Sequence, residues 1–245
     1  MASKKQSNSI FNSAVNVLGG VPDYATMIQY ALDKIEGKEN SEFSFRTEKS
    51  GQRFIAAINQ ELLVFKNEQH KSLIVDSLSS KDLRPDQKLM VLFWQLLINN
   101  KLFALITENY FMKCVYAGRI SLFPNEIESY LYELRREYPE ELQWSDATLK
   151  TTASKYLTMM KKLGLAEGNQ QKQIRYPNIG DELFIFLVKL ALAVFPKENT
   201  EANWLFRFSF LDTNSLINRL KAVRFTPLWT IKQVGNNIQI ELTKK

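Results

Sequence analysis

Apolar positions recur at intervals of three and four residues through most of the chain up to about residue 195, which is the period of an amphipathic helix. Several of the periodic segments begin with proline in the first turn and stop at glycine or asparagine. The pattern predicts helices over residues 21–36, 47–65, 70–78, 85–99, 102–117 and 124–136. The sequence therefore predicts a mainly α fold.

The segment 146–163 carries the clearest helix signals of the chain. Ser145 precedes it as an N-cap, because its hydroxyl can accept a bond from a free N–H group of the first turn. Gly164 follows it and can take the left-handed conformation that ends a helix. The next residues, 165–177, predict a short strand, a polar tip and a basic return strand. The buried face is predicted to hold Leu149, Ala153, Tyr156, Leu157 and Met160.

The last fifty residues change character. Alternating aromatic residues predict a strand over 204–210, and Asp212 or Thr213 can cap a short helix that ends at Leu220. Residues 228–234 and 238–242, with a turn at 235–237, predict a β-hairpin. This hairpin either closes a hydrophobic core with Trp229, Ile231, Ile238 and Ile240 inward, or forms a second winged element.

The predicted fold class is mainly α: a helical bundle with helix-turn-helix or winged-helix-like modules and a small C-terminal β-hairpin. Three domains are expected. They are an N-terminal helical domain over 1–82, a helix-turn-helix or winged-helix-like domain over 83–195, and a strand, helix and hairpin extension over 196–245.

The outer face of the 146–163 helix contains no acidic residue. A solvated helix face usually mixes glutamate with lysine, because such pairs support the helix. Lysines and hydroxyls together are instead the groups that donate to phosphate oxygens and base edges. A plain solvated helix that lacks acids is the alternative. The face holds Lys150, Thr151, Ser154, Lys155, Thr158, Lys161 and Lys162, and Lys172 and Arg175 follow at the base of the return strand.

Positive charge is concentrated in two segments. Residues 146–176 carry +4 and residues 218–245 carry +5, whereas the whole chain carries +6, so the remaining residues sum to −3. Such clustering is the footprint expected of a protein that neutralises phosphates. In the second segment the candidate phosphate contacts are Arg219, Lys221, Arg224 and Lys232.

Composition is that of an ordinary globular protein, with 45% hydrophobic and 24% charged residues. No apolar run of signal-peptide length follows the first residues, and the apolar stretch 183–195 is too short for a membrane span and contains Lys189. The single cysteine excludes an internal disulfide and fits a reducing compartment. A cytoplasmic protein without a membrane segment is expected.

No motif of a common enzyme class is present in the sequence. One histidine and one cysteine cannot assemble a zinc site from imidazole and thiolate ligands. His70 is predicted to be solvated, and Cys114 to be a buried, inert thiol. We expect no enzyme activity, no catalytic residues, no cofactor, no metal and no small-molecule substrate.

Three stretches together resemble the BrxA family of BREX-type bacteriophage-defence operons. They are RTEKSGQRFIAAINQEL, LFWQLLINNKLFALITENYF and WSDATLKTTASKYLTMMKKLGLAE, and the similarity covers about residues 10–190. The resemblance implies a non-enzymatic, all-α protein with helix-turn-helix-like modules that binds DNA and is encoded beside a methyltransferase and ATPases. By residue it implies a functional role for the helix Ser145–Gly164 and for Arg46 and Arg53.

Two functional hypotheses follow. The first is a component of a BREX phage-defence system that binds double-stranded DNA through a basic helix and wing, with little sequence specificity. Other BREX proteins are expected as further partners. The second is an interaction or scaffold subunit, or a transcriptional regulator, whose basic surfaces meet an acidic partner.

Overall fold

The computed structural model describes residues 10–20, 24–38, 47–234 and 237–243. The chain divides into two compact units, each built from two separate stretches. Unit 1 comprises residues 1–64 and 95–175, and unit 2 comprises residues 65–94 and 176–245. These boundaries differ from the three consecutive domains expected from the sequence, because residues 65–94 pack with the C-terminal part of the chain.

Unit 1 begins with three helices, α1 (Ala14–Gly19), α2 (Tyr24–Ile35) and α3 (Glu48–Glu61). The Thr47 hydroxyl caps α3 by accepting a bond from the backbone N–H of Ser50. Helix α1, which the periodicity did not predict, packs against α3 and against a later helix of unit 1. The proposed helix start at 21–23 and Arg46 lie outside the described residues.

A buried polar network joins the start of α1 to the end of α3. The Asn12 side-chain amide donates to Glu61 Oε1 at 2.7 Å and accepts from the Asn100 amide at 3.1 Å. Glu61 is fully buried, and this burial raises the pKa of its carboxyl group to about 7. The network therefore holds a carboxyl group that titrates near neutral pH.

The predicted helices over 85–99 and 102–117 are confirmed as α5 (Pro85–Asn99), α6 (Lys101–Ile106) and α7 (Met112–Tyr116), with a π-helical turn at Thr107–Phe111. Asn100 separates α5 from α6, since its side chain accepts from the N–H of Phe103. Among the described residues no single helix is long and apolar enough to cross a membrane, and α5 with Lys101–Tyr116 passes that test only as a pair bent by 106°.

The second half of unit 1 alternates short strands with two long helices. Its elements are β1 (Ser121–Leu122), α8 (Pro124–Glu137), α9 (Asp146–Lys162), β2 (Ala166–Glu167) and β3 (Lys172–Ile174). The strands form one antiparallel sheet in the order β1-β3-β2. The β2–β3 hairpin confirms the strand pair expected after Gly164, whereas β1, with two residues, was not anticipated.

Unit 2 is built around the apolar helix α10 (Asp181–Val194), which packs against α4 (Glu68–Ser79). The unit also contains α11 (Thr213–Leu220) and the two-stranded hairpin β4 (Trp229–Val234) and β5 (Asn237–Leu242). The apolar stretch 183–195, too short for a membrane span, is mostly buried in α10. The C-terminal hairpin is confirmed; of its predicted turn, residues 235 and 236 lie outside the described residues and Asn237 begins β5.

The predicted strand over 204–210 is wrong, because Trp204–Phe208 forms a 3-10 helix. Asn203 starts this helix: its side-chain oxygen accepts from the N–H of Leu205, and its amide donates to the carbonyl of Glu198. Leu205 and Phe208, three residues apart, are both fully buried. A 3-10 helix has three residues per turn, so Leu205 and Phe208 lie on the same side of it. The cap at Asn203 and the burial of this side therefore outweigh the alternation of aromatic residues that predicted a strand.

The prediction that His70 is solvated is also wrong, whereas the burial of Cys114 is confirmed. His70 is fully buried, and its Nδ1 accepts a bond from the backbone N–H of Lys66 at 3.1 Å. Its ring lies edge-on to Phe65, with centroids 5.6 Å apart. The histidine thus closes the turn that leads into α4, a role that its polar sequence neighbours did not indicate. Burial raises the pKa of the Cys114 thiol, which keeps it protonated.

Candidate nucleic-acid interface

Helix α9 is capped and packed as its sequence predicts. The Ser145 hydroxyl accepts from the backbone N–H of Thr148 at 3.3 Å, and Asp146 in the first turn pairs with Arg135 at 2.9 Å. The Tyr156 hydroxyl is hydrogen-bonded to Thr107 at 3.0 Å inside the unit. All five residues of the predicted inner face are buried, namely Leu149, Ala153, Tyr156, Leu157 and Met160.

Opposite this buried face, α9 presents a continuous polar surface. At about 100° per residue, positions 150, 151, 154, 158 and 161 fall within one side of the helix. Thr158 is half-buried, and the other four are exposed. We call this set, made of Lys150, Thr151, Ser154, Thr158 and Lys161, the open stripe of α9.

The other two lysines of the predicted face, Lys155 and Lys162, are partly covered by α1. The Lys162 ammonium donates to the carbonyl of Gly19 at 2.9 Å and lies 5.9 Å from the Tyr24 ring centroid. Burial, and secondly the charge of Lys155, lower the pKa of Lys162. The expectation that both lysines share the solvent side of α9 therefore needs correction, because the helix has a neighbour on that flank.

Gly19 is what allows α1 to approach α9 so closely. A Cβ atom at this position would lie 2.6 Å from the carbonyl oxygen and 2.9 Å from the Cβ of Lys155. Neither atom can move away by a side-chain rotation, so only glycine fits between the two helices.

Two hydroxyls of the open stripe are satisfied by α9 itself. Thr151 donates to the carbonyl of Ala147 at 2.8 Å, and Thr158 donates to the carbonyl of Ser154 at 2.9 Å. Their protons are therefore engaged within the helix, and the hydroxyl of the predicted site residue Ser145 is used in capping. The hydroxyl of Ser154 stands exposed between the two lysines of the stripe.

Lysines also meet at the tip of the β2–β3 hairpin. Lys161 donates to the side-chain oxygen of Asn169 at 2.6 Å, and Lys172 donates to the backbone carbonyl of the same residue. Burial, and secondly the charge of Lys161, lower the pKa of Lys172. Arg175 is exposed directly after β3. The open stripe and the hairpin tip thus form one basic surface.

Arg53 stands apart from this surface. It is exposed on α3 and lines a groove of about 640 Å³ between α1 and α3, together with Ser50, Phe54 and Asn16. No residue of the open stripe lines this groove in the described part of the chain. The structure therefore does not bring Arg53 together with the lysines of α9.

In unit 2, three of the four basic candidates are engaged with acidic residues of their own unit. Arg219 and Arg224 both pair with Asp181, at 3.2 and 2.6 Å, and Lys232 pairs with Glu241 at 2.7 Å. The Asp181 pKa is lowered, first by its hydrogen bond from Arg224. Lys221 is exposed. Phosphate contact by these residues stays a prediction, but much of the local positive charge is neutralised.

Arg219 is further held by the fold. It donates to the carbonyl of Ile179 at 2.6 Å, and its guanidinium lies 4.4 Å from the Phe184 ring centroid. The adjoining hairpin buries Trp229, Ile238 and Ile240, with Ile231 half-buried, and the Trp229 indole donates to the carbonyl of Leu220 at 2.9 Å. These contacts favour the interpretation that the hairpin completes the core of unit 2.

Sequence reasoning missed Gly19 and Asn169. Gly19 sits at the end of a six-residue helix too short to show a period, and Asn169 looked like one more polar residue at a hairpin tip. The only local signal was Gly168, which has a left-handed φ of 88° and marks the tight turn. Gly19 contacts Lys155 and Lys162, which only the folded chain brings near, whereas Asn169 contacts Lys172 three residues along the chain and Lys161 on α9.

The described residues contain no group of three or more histidine, cysteine, aspartate or glutamate side chains that could hold a metal ion. Comparison of the chain with protein-family models, with curated proteins and with solved structures finds no match.

Proposed function

We propose that unit 1 binds double-stranded DNA through a winged-helix module made of residues 101–175. In this assignment α8 and α9 are the helix pair, α9 is the recognition helix, and the β2–β3 hairpin is the wing. The order of elements from α6 to β3 supports it, with a helix pair that shares a core and leads into an antiparallel hairpin. The segment between α8 and α9, residues 138–145, is longer than the three or four residues usual in a helix-turn-helix.

The observation that carries the proposal is the open stripe of α9. It offers the Lys150 and Lys161 ammonium groups and the Ser154 hydroxyl on one exposed side of the helix. None of its members is acidic, and Asp146, one turn before Lys150, pairs with Arg135. Such groups donate to phosphate oxygens, and contacts with phosphates contribute much of the affinity of a protein for duplex DNA.

The same stripe supports binding with little sequence specificity. Base discrimination most often uses paired contacts from arginine, lysine, asparagine or glutamine to base edges. The stripe contains no arginine, asparagine or glutamine, and the hydroxyl protons of Thr151 and Thr158 are held by the helix backbone. Its lysines act chiefly as point charges. We propose that the protein has no enzymatic role and, on the sequence resemblance to the BrxA family alone, that it serves in BREX-type phage defence.

An alternative function is contact with another protein. Unit 1 exposes three large apolar residues around β1, namely Tyr116, Ile120 and Phe123, which are 49%, 67% and 38% exposed. Apolar residues gathered at one place on a surface favour a protein partner. An interaction or scaffold subunit whose basic surfaces meet an acidic partner would use this side as well as the lysines.

Replacing Lys150 by alanine tests the proposal. We expect weaker binding of Lys150→Ala to a fluorescein-labelled duplex of about 20 base pairs, measured by anisotropy between about 50 and 200 mM NaCl. The slope of log affinity against log salt should fall by about 0.9, the value for one lost phosphate contact.

Lys113→Ala is the matched control, because Lys113 is also an exposed lysine of unit 1, on α7 and outside the helix and hairpin surface. Identical slopes for the two variants, or a wild-type protein that does not bind the duplex at all, would contradict the proposal and favour the protein partner.

A further inference from the structure

The tip of the β2–β3 hairpin holds two positive charges close together. Both lysines contact Asn169: Lys161 donates to its side-chain oxygen at 2.6 Å, and Lys172 donates to its backbone carbonyl. Neither lysine makes an ion pair with an acidic residue among the described residues. Glu167, the nearest acid along the chain, lies on β2 opposite Gln173. The repulsion between the two ammonium groups is therefore not offset by a carboxylate.

The turn beneath these lysines is fixed by its backbone. Gly168 has a φ of 88°, and a Cβ atom there would lie 2.1 Å from the carbonyl oxygen of Gln171. The Gln171 side-chain amide donates to the hydroxyl of Ser121 on β1 at 3.0 Å, which ties the tip to the third strand of the sheet. Asn169 thus stands at a defined place between a lysine of α9 and a lysine of β3.

We propose that Lys161, Asn169 and Lys172 form an anion subsite that takes one backbone phosphodiester of the bound DNA. This inference rests on the proposed function, and it adds which part of the nucleic acid the hairpin contacts. A phosphate between the two ammonium groups offsets their repulsion and accepts a charge-assisted hydrogen bond from each. Asn169 is a positioning residue, because its two oxygens hold the lysines on either side of the site. The hairpin accordingly contacts the sugar-phosphate backbone and contributes no base readout.

The opposing explanation is that the two lysines only brace the hairpin tip. The substitution Asn169→Asp separates the two roles. An aspartate keeps the size of the side chain and gives Lys161 an ionic acceptor, so a bracing role would be preserved or strengthened. If the site binds a phosphate, the carboxylate of Asn169→Asp would lie next to that phosphate between the two lysines and repel it.

The control is Gln170→Glu, which adds the same charge to the next residue of the tip, where the side chain is exposed. Duplex affinity and its salt dependence are measured for both variants by anisotropy, and thermal unfolding is followed in parallel. For Asn169→Asp we expect affinity about tenfold lower than for Gln170→Glu, the loss of one charge-assisted bond. The salt slope should be reduced by about 0.9, and the thermal midpoint should be no lower than that of wild type.

Equal affinities of Asn169→Asp and Gln170→Glu would overturn the subsite. Lys150→Ala keeps this failure distinct from failure of the proposed function. If wild type binds and Lys150→Ala weakens binding while the two tip variants are equal, then α9 binds DNA and the hairpin subsite is wrong. If wild type does not bind the duplex, both proposals fall together. Lys172→Met, which keeps the apolar stem but removes the charge, should lower the slope as Asn169→Asp does, and an unchanged slope would also overturn the subsite.

Discussion

Adding a single methyl group at Gly19 should separate α1 from α9. The new Cβ atom would lie 2.6 Å from the carbonyl oxygen of Lys155, and ordinary carbon–oxygen contact needs more than 3 Å. Since the obstructing atoms belong to the α9 backbone and to a Cβ atom, relief requires a shift of the whole short helix. The bond from Lys162 to the Gly19 carbonyl would be lost with that shift.

The expected cost of Gly19→Ala follows from these contacts. Overpacking of a tight site costs about 1–3 kcal/mol, and the better helix propensity of alanine returns at most about 1 kcal/mol. With the full return, the free energy of unfolding of unit 1 should therefore fall by up to about 2 kcal/mol. Duplex affinity of the folded variant should be retained, because the lysines of the open stripe are untouched and Lys155 and Lys162 become more exposed.

Hydrogen exchange with urea unfolding is the suitable assay, because a chain of two compact units need not unfold in one step. Amides of α1 and of α9 near Lys155 should exchange faster in Gly19→Ala. Gly20→Ala is the control, since its Cβ atom would meet the nearest backbone oxygen at 3.2 Å and needs only a small adjustment. Unchanged stability and exchange in Gly19→Ala would refute the close packing of the two helices.

Two further perturbations test other parts of the fold. Burial raises the pKa of Glu61 from 4.5 to about 7, so the unfolded chain releases this proton at lower pH than the folded chain does. The free energy of unfolding should therefore fall by up to about 3 kcal/mol as pH rises from 4.5 to 7 and then level off. Glu61→Gln should remove this contribution in urea titrations at several pH values, and a decline identical to that of wild type would argue against it. Arg219→Ala should lower the thermal midpoint and leave duplex affinity near that of wild type, since Arg219 binds the Ile179 carbonyl and Asp181 within unit 2. A loss of affinity without a loss of stability would instead make Arg219 a phosphate contact.

Local signals were sufficient to predict α9 and the hairpin that follows it. The Ser145 cap, the period of the buried residues and the stop at Gly164 all act within one or two turns of the chain, and each is confirmed. The same holds for the cap at Asp212. Two short elements were not predicted, because α1 with six residues and β1 with two are too short to show a hydrophobic period.

The candidate surface was harder to predict because exposure depends on distant residues. Lys155 and Lys162 have the sequence pattern of a solvated helix face, yet Gly19, 143 residues before Lys162, covers that flank. Arg219 and Arg224 looked like a free basic pair, but both meet Asp181 about 40 residues earlier in the chain. A charge count along the sequence cannot register such pairings.

The split of α5 between the two units has a consequence for synthesis of the protein. Its residues up to Trp94 belong to unit 2, whose remaining part begins only at residue 176. The Trp94 indole, for example, donates to the carbonyl of Phe208, 114 residues later. At about 5–20 residues per second, translation takes roughly 6–23 s to span that interval. Throughout that interval the Trp94 indole lacks this native partner, while the intervening residues of unit 1 are already emerging from the ribosome. Chaperones that shield apolar segments on nascent chains would therefore act on this helix before the rest of unit 2 exists.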